Sequence, residues 1–429
     1  MKLMAQPMAP KPIPATYQPL NTQPGLNTAA VPAGFRHTTS LNSLQNDRPA
    51  PVHTPPPGTR QQQLQELQQV LEVEKKQLQN NTVIHFKNYL QQLLQLDPDS
   101  FSITKAVYLS EAVYYNTPYS FQDFEGAIKQ RAALVQQLLQ QEGLNPANNL
   151  AVHYGIQKLF SQDNTIRDRS GKSILVKRIR YDFDDYNGAR DWTKMFVTKV
   201  LLSNSGQCHN LPLLYLCIAE QLHAKAYLSL APNHSFIQFT DNHNKLHNFE
   251  TTNGNLVTTA WLMQSDAINV TAIKNRTYLD TLSSRKLYAQ CLADFQMAYL
   301  ARNGYDDFTQ QLSNQILAID SNNINALMIN ANYCTQVFRH LAQAANYPPS
   351  ENLYQYPQLQ AAYNNMLAAQ QKIATLGYQD MPEQQYRQWL KSIELEKKKQ
   401  RYKDELEKQQ RAIQQLKKIK STFINTPKK

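Results

Sequence analysis

The chain is poor in cysteine, has no long apolar run, and carries almost no net charge through its middle. Each shortage excludes something. Four cysteines, Cys208, Cys217, Cys291 and Cys334, are spread through 429 residues. They are too scattered for a disulfide framework, and none forms the CxxC pair of a structural zinc site. No run reaches the roughly 18 apolar residues of a bilayer span. Residues Met1 to Pro19 lack the apolar core of a secretory signal. Met1 to Gln6 fits the tail of a signal that starts upstream; export is expected only in that case, and the compartment stays open. The formal charge of +11 comes from 44 Lys and Arg against 33 Asp and Glu. Residues 1–60 hold five basic residues and one acid, and residues 391–429 hold thirteen and five. The excess therefore lies in two tails, and nucleic acid is not an expected partner of the body.

What is present is an ordinary core and a strong change of texture along the chain. Hydrophobic residues make up 41%, enough for a folded body. Twelve of the 22 prolines fall before residue 58, so 1–60 reads as a disordered Pro-rich leader. Leu64, Leu67, Leu71 and Leu78, then Phe86, Leu90 and Leu93, keep helical spacing and open an α-helical domain over 61–165. Further helices are expected at about 102–115, 121–142 and 147–160. Over 166–280 the period switches. Ile174, Val176, Ile179 and Tyr181 suggest strands, with Ser170-Gly171 as a turn. A helix follows at about 188–202 and another from near Cys208 to Leu222, its buried face carrying Leu211, Leu214, Tyr215, Ile218 and Leu222. Pro212 suits its first turn. Three strand-like runs come next: Ala224–Leu230, His234–Phe239 and Leu246–Thr251. The fold class is α+β, a mostly helical chain around a central helix-plus-antiparallel-sheet domain.

Residues 281–380 read as helical hairpins. Ile316 to Asn323, followed by Ala326-Leu327, is similar to the turn between tetratricopeptide repeats, in about one clear copy. This domain is the expected surface for a protein partner. Residues 381–429 form a charged helical tail. Tyr402, Leu406, Ile413 and Leu416 hold heptad places, but Gln409 and Lys420 interrupt the seam, so a solvated single helix is favoured over a coiled coil. Tyr386, Trp389 and Tyr402 among lysines leave an anionic surface as a partner for this tail. Glu394, Glu396, Glu405 and Glu407 weaken that reading.

The central segment carries the chemistry. Cys208 sits after Gly206-Gln207 at the expected start of an amphipathic helix, where free N–H groups and the helix dipole favour a thiolate and receive an oxyanion. His234 opens a strand 26 residues on, and Glu250 lies in the next strand. In a hairpin looped at Thr240–Asn244, His234 faces Glu250 on one side of the sheet. Nucleophile on a helix tip, base beside it and acid behind the base is the order that a thiol–imidazole–carboxylate triad needs.

Gly206-Gln207-Cys208, Asn233-His234-Ser235-Phe236 and Phe249-Glu250-Thr251-Thr252-Asn253-Gly254 resemble the three motifs of the transglutaminase-like superfamily of papain-type thiol enzymes, over about residues 170–260. The resemblance implies a helix packed on a small antiparallel sheet and acyl chemistry through a thioester. Cys208 is then the nucleophile, His234 the base and Glu250 the orienting acid. Two departures stand out. The acid is usually Asp, and His209 follows the cysteine where many members carry an aromatic or small residue. Gln207 and Trp192 are the candidates for a second oxyanion donor. The expected function is a thiol acyl-transfer enzyme, a cysteine protease or amidase before a cross-linker, acting on peptide or protein amides without a cofactor. The rival is an inactive scaffold that binds a protein partner.

Other signals are set aside. Ser170-Gly171-Lys172-Ser173 lacks the upstream glycine of a phosphate-binding loop, because position 166 is Ile. His209, His223, His243 and His247 have no companion thiolate pair for zinc. Cys217 lies mid-helix and reads as a packed thiol.

Overall fold

The computed structural model describes residues 81–115, 119–167, 171–265, 268–378 and 383–424. The Pro-rich leader and the helix expected over 64–78 lie outside them. The architecture is helix-rich α+β, with small sheets set among helices. The first helices are α1 (81–94), α2 (Ile103–Ala112), α3 (Phe121–Gln141) and α4 (Asn149–Ser161). Ser102, Ser120 and Asn148 each accept a first-turn N–H, so the three later boundaries follow from local capping chemistry.

Two short sheets come next. Strands β1 (Asn164–Arg167) and β2 (Ser173–Val176) form an antiparallel hairpin around Gly171, which sits at φ +80°. Strand β3 (Arg180–Tyr181) runs parallel to β4 (Ser205–Gly206), with Tyr181 opposite Gly206. The helix expected at 188–202 is instead a 3-10 turn, Trp192–Met195, and a separate helix α5 (Val197–Ser203). The break falls at Phe196, whose backbone is extended.

Helix α6 (Asn210–Gln221) is the centre of the molecule. Every residue from Asn210 to Ala219 is buried, not one stripe alone. It packs on α2, α3, α4 and α5 on one side and on β5 and β6 on the other, which is why it is apolar all round. Strands β5 (Ala226–Ala231), β6 (His234–Thr240), β7 (Leu246–Glu250) and β8 (Asn255–Val257) form an antiparallel meander in that order. Two carboxylates, one half-buried and one buried, lock the helices to one another. Glu220 of α6 accepts the Ile103 and Thr104 N–H groups at 2.7 and 2.9 Å, capping α2. Glu111 of α2 accepts the Val197 and Thr198 N–H groups, capping α5. Orphan N–H groups at helix starts favour such anions. Burial still pushes the Glu111 carboxyl up to about 7.

Short helices α7 (Thr259–Ser265) and α8 (Val270–Lys274) lead to the hairpins α9 (Ser284–Asn303), α10 (Asp307–Ile319), α11 (Ile324–Ala344) and α12 (Pro357–Thr375). One buried cluster runs from Phe86 through α6 to Leu376, so the helices before and after the sheet share its core. A smaller cluster around Phe338, Leu353 and Met366 closes the α11–α12 hairpin.

The last helix, α13 (Glu383–Ile424), docks in an unexpected way. Its heptad residues Tyr402, Leu406, Ile413 and Leu416 are exposed, and so is Leu395. The stripe that touches the body is polar: Gln400, Asp404, Glu407 and Arg411. Arg178, 7% exposed at its side chain, meets Asp404 at 3.1 Å and Glu407 at 2.6 Å. Arg180 meets Asp404 at 2.8 Å, Arg411 meets Asp163 at 2.9 Å, and Gln400 donates to the Tyr181 carbonyl at 3.2 Å. The helix therefore lies along the β3 strand.

Candidate active site

The loop Asn204–His209 places the thiol. Asn204 ends α5 in the left-handed region, at φ +55°. Gly206 then passes so close to its neighbours that a Cβ there would stand 2.4 Å from Asn210 Oδ1 and 2.7 Å from Val200 Cγ2. The glycine is required by that close approach. Helix α6 begins at Asn210, so Cys208 lies in the turn just before it and Pro212 is the third helical residue.

Asn210 is the fastener of this loop. Its Oδ1 accepts the Gln207 N–H at 2.8 Å, and its Nδ2 donates to the Lys194 and Phe196 carbonyls, both at 2.8 Å. The side chain is fully buried. Asn210→Ala should leave one backbone donor and two acceptors unpaired and cost about 2 kcal/mol or more. Urea unfolding measures this; an unchanged midpoint would show the loop held by other contacts.

The hairpin that carries the other two residues has a different register from the expected one. Ile237 pairs with Phe249 and Thr240 with Leu246, around the loop 241–245. Asp241 closes that loop, accepting the His243 and Lys245 N–H groups at 2.9 Å each. By this register position 250 stands opposite position 236, two residues from His234. Parity is kept, so both side chains still share a face. Glu250 reaches His234 along the diagonal, and the methylene that distinguishes it from Asp supplies that reach.

The contact is direct. Glu250 Oε2 lies 2.6 Å from His234 Nε2, and both side chains have 0% exposure. The other carboxylate oxygen, Oε1, accepts the Thr252 N–H at 2.9 Å and the Thr252 hydroxyl at 2.7 Å. The acid is therefore held from both sides, and Thr252 is a site residue whose role the sequence did not reveal. With Nε2 protonated toward Glu250, Nδ1 is the lone pair that faces outward from the pair. No regular hydrogen bond satisfies Nδ1. The Cys208 thiol and the ring act on each other electrostatically. Ser235 ties the two elements together, its hydroxyl donating to the Cys208 carbonyl at 2.7 Å.

The electrostatics are those of a closed, dry pair. Burial raises the Cys208 thiol, and the His234 imidazole only partly offsets this. Burial alone would lower His234. The Glu250 carboxylate and Cys208 outweigh it and hold the imidazole well above its ordinary value. With one proton shared between them, the pair can stand as thiol and imidazole or as thiolate and imidazolium, and the Glu250 carboxylate favours the charged ring.

The two oxyanion candidates differ in placement. Gln207 is fully buried beside Cys208, and neither its amide nitrogen nor its amide oxygen has a partner. The Trp192 indole N–H also lacks a partner. Trp192, however, lines a small cavity with Glu111, His209, Leu213, Cys291 and Asp294, which does not include Cys208. His209 turns toward that cavity, with Nε2 3.4 Å from Asp294.

The remaining histidines do not converge. His247 bonds Asp241 at 2.9 Å. Among the described residues no group of three or more His, Cys, Asp or Glu side chains is placed to hold a metal. Cys217 is buried within α6, and burial drives its thiol well above the ordinary range.

No protein-family model matches the chain, and no curated protein matches it. Among solved structures, a crystal structure of menin, described with its binding site for the Mixed Lineage Leukemia protein, is 11% identical with a TM-score of 0.32, over 68% of this chain and 69% of that one. A likeness that loose carries no argument about fold or function, and the site rests on its own geometry.

Proposed function

We propose that the protein is a thiol acyl-transfer enzyme, a transglutaminase-like cysteine protease or amidase, acting on peptide or protein amides through a thioester at Cys208. One observation carries this reading: a buried Glu250 carboxylate fixed on His234 Nε2, with the buried Cys208 thiol acting on the same ring. A neutral packed histidine has no need of a buried acid clamped in turn by Thr252. In the reaction, sulfur gives its proton to Nδ1 and attacks the amide carbonyl. His234 then returns the proton to the leaving amine, and water or a second amine releases the acyl group.

The rival reading is a transglutaminase-like scaffold without turnover, with the tetratricopeptide-like hairpins as the partner surface. It is favoured by the complete burial of Cys208, His234 and Glu250. Acid-quenched mass spectrometry decides between them. Incubation with peptide amides should leave an acyl adduct on the peptide that contains Cys208. A chain that captures a protein partner, keeps it after Cys208→Ala and never carries an adduct is the scaffold.

A further inference from the structure

Helix α13 carries two stripes on opposite sides. At about 100° per residue, Asp404, Glu407 and Arg411 lie within about 40° of Gln400, whereas Leu395, Tyr402, Leu406, Ile413 and Leu416 lie about 160–240° round from it. The first stripe holds the helix to its own body, on Arg178, Arg180, Asp163 and the Tyr181 carbonyl. The second faces away from that body. Among the described residues eighteen large apolar side chains are exposed, and these are five of them. A helix that only had to rest on the body by its polar stripe has no use for an apolar one on the far side. The spacing is that of a coiled-coil seam: Leu395, Tyr402 and Leu416 hold d positions, and Leu406 and Ile413 hold a positions.

We infer that the outer stripe of α13 is a dimer interface, covered by the same stripe of a second copy of the chain running antiparallel to it. Charge sets the direction. Lys398, Lys399, Lys403 and Glu405 are all exposed along the seam or beside it. Parallel pairing in register puts Lys399, at an a position, against Lys399 of the second copy, and Lys398 against its Lys403. Antiparallel pairing about the midpoint of 400 and 401 removes both clashes. Leu395 then meets Leu406 of the second copy, and Leu406 meets its Leu395. Lys399 meets the Tyr402 ring, a favourable surface for a cation, and Lys398 stands beside Glu405. Each contact occurs twice, as in any two-fold interface. These central layers, 395–406, lie clear of Gln409 and Lys420, the residues that break the seam along the sequence. The two bodies sit on the outer sides of the pair, so dimerisation leaves the Arg178 and Arg180 contacts in place. The inference is independent of the thiol reading.

Sedimentation equilibrium of the full chain tests it. Wild type should show a concentration-dependent mass that rises to twice that of one chain. Leu406→Glu places a charge in two central layers and should raise the dissociation constant at least about tenfold. Lys398→Glu turns two attractive pairs repulsive and should raise it about fivefold, and the exchange Lys398→Glu with Glu405→Lys should bring it back. The substituted positions are exposed, so melting temperatures should stay at the wild-type value. A chain that remains monomeric to about 100 µM overturns the inference, whether or not it binds anionic vesicles. So does a dimer that Leu406→Glu leaves intact, since its interface then lies elsewhere. A dimer that Lys398→Glu tightens overturns the antiparallel arrangement, because only parallel helices set Lys398 against Lys403.

Discussion

Cys208→Ala should abolish turnover of a peptide-amide substrate, by about four orders of magnitude or more, and leave binding of that substrate intact. The group lost is the only one of the triad that bonds to carbon, so no neighbour replaces it. The fold should barely notice. Cys208 is fully buried, but it lies in a turn fastened by Asn210 and Ser235 through backbone groups that alanine keeps. The loss in stability should stay near 1 kcal/mol, that of a small buried truncation. The control is Cys217→Ala, equally buried and one helix turn or more away in α6. It should cost similar stability and no activity. Equal rates for wild type and Cys208→Ala, by release of amine or by incorporation of a labelled amine, would end the enzymatic reading.

Glu250→Ala should be the most damaging substitution for the fold. It removes one member of a fully buried ion pair and strands the Thr252 N–H and hydroxyl, for about 3–5 kcal/mol. Glu250→Gln keeps an acceptor for Thr252 but no charge for His234. It should fold better than the alanine variant and still lose activity by orders of magnitude, since the ring loses its orienting anion. The pH dependence has a definite sign. The folded imidazole titrates above the unfolded value of 6.5. The stabilisation by the pair is therefore complete below about pH 6.5 and is lost as pH rises through the raised folded value. Wild type should weaken on the alkaline side, and Glu250→Gln should weaken much less there. Parallel alkaline slopes in urea titrations would mean that His234 is neutral in the fold.

The sequence carried the grouping of the candidate residues better than the geometry that holds them. Cys208, His234 and Glu250 could be read as a set because helix, strand and strand follow one another within 43 residues, and because strand parity survives an error of two in register. The register itself was not legible. Both 240–244 and 241–245 are polar five-residue loops, and the Asp241 side chain selects the second by accepting two loop N–H groups. Helix α6 looked amphipathic because the helices that cover its other face are brought in from residues 103–161, too far along the chain for a local pattern to show. The same distance hides Glu111 and Glu220, whose partners lie 86 and 117 residues away. Asn210 and Thr252 are ordinary residues in ordinary runs. Only the loop that one fastens and the carboxylate that the other holds set them apart. In α13 the apolar heptad drew attention to the face that points to solvent, while the docking stripe is polar and has no periodic signature of burial.

That polar stripe has a consequence of its own. A helix seated by arginine–carboxylate contacts is held by forces that dissolved ions compete with, whereas the body beneath it is held by the exclusion of water. The grip of α13 on Arg178 and Arg180 is thus a function of ionic strength, and the packing of α6 is not. Salt becomes a handle that acts on one element at a time: in a concentrated electrolyte the terminal helix would let go of the β3 edge, opening it to proteases and antibodies, with the buried pair of His234 and Glu250 still in place.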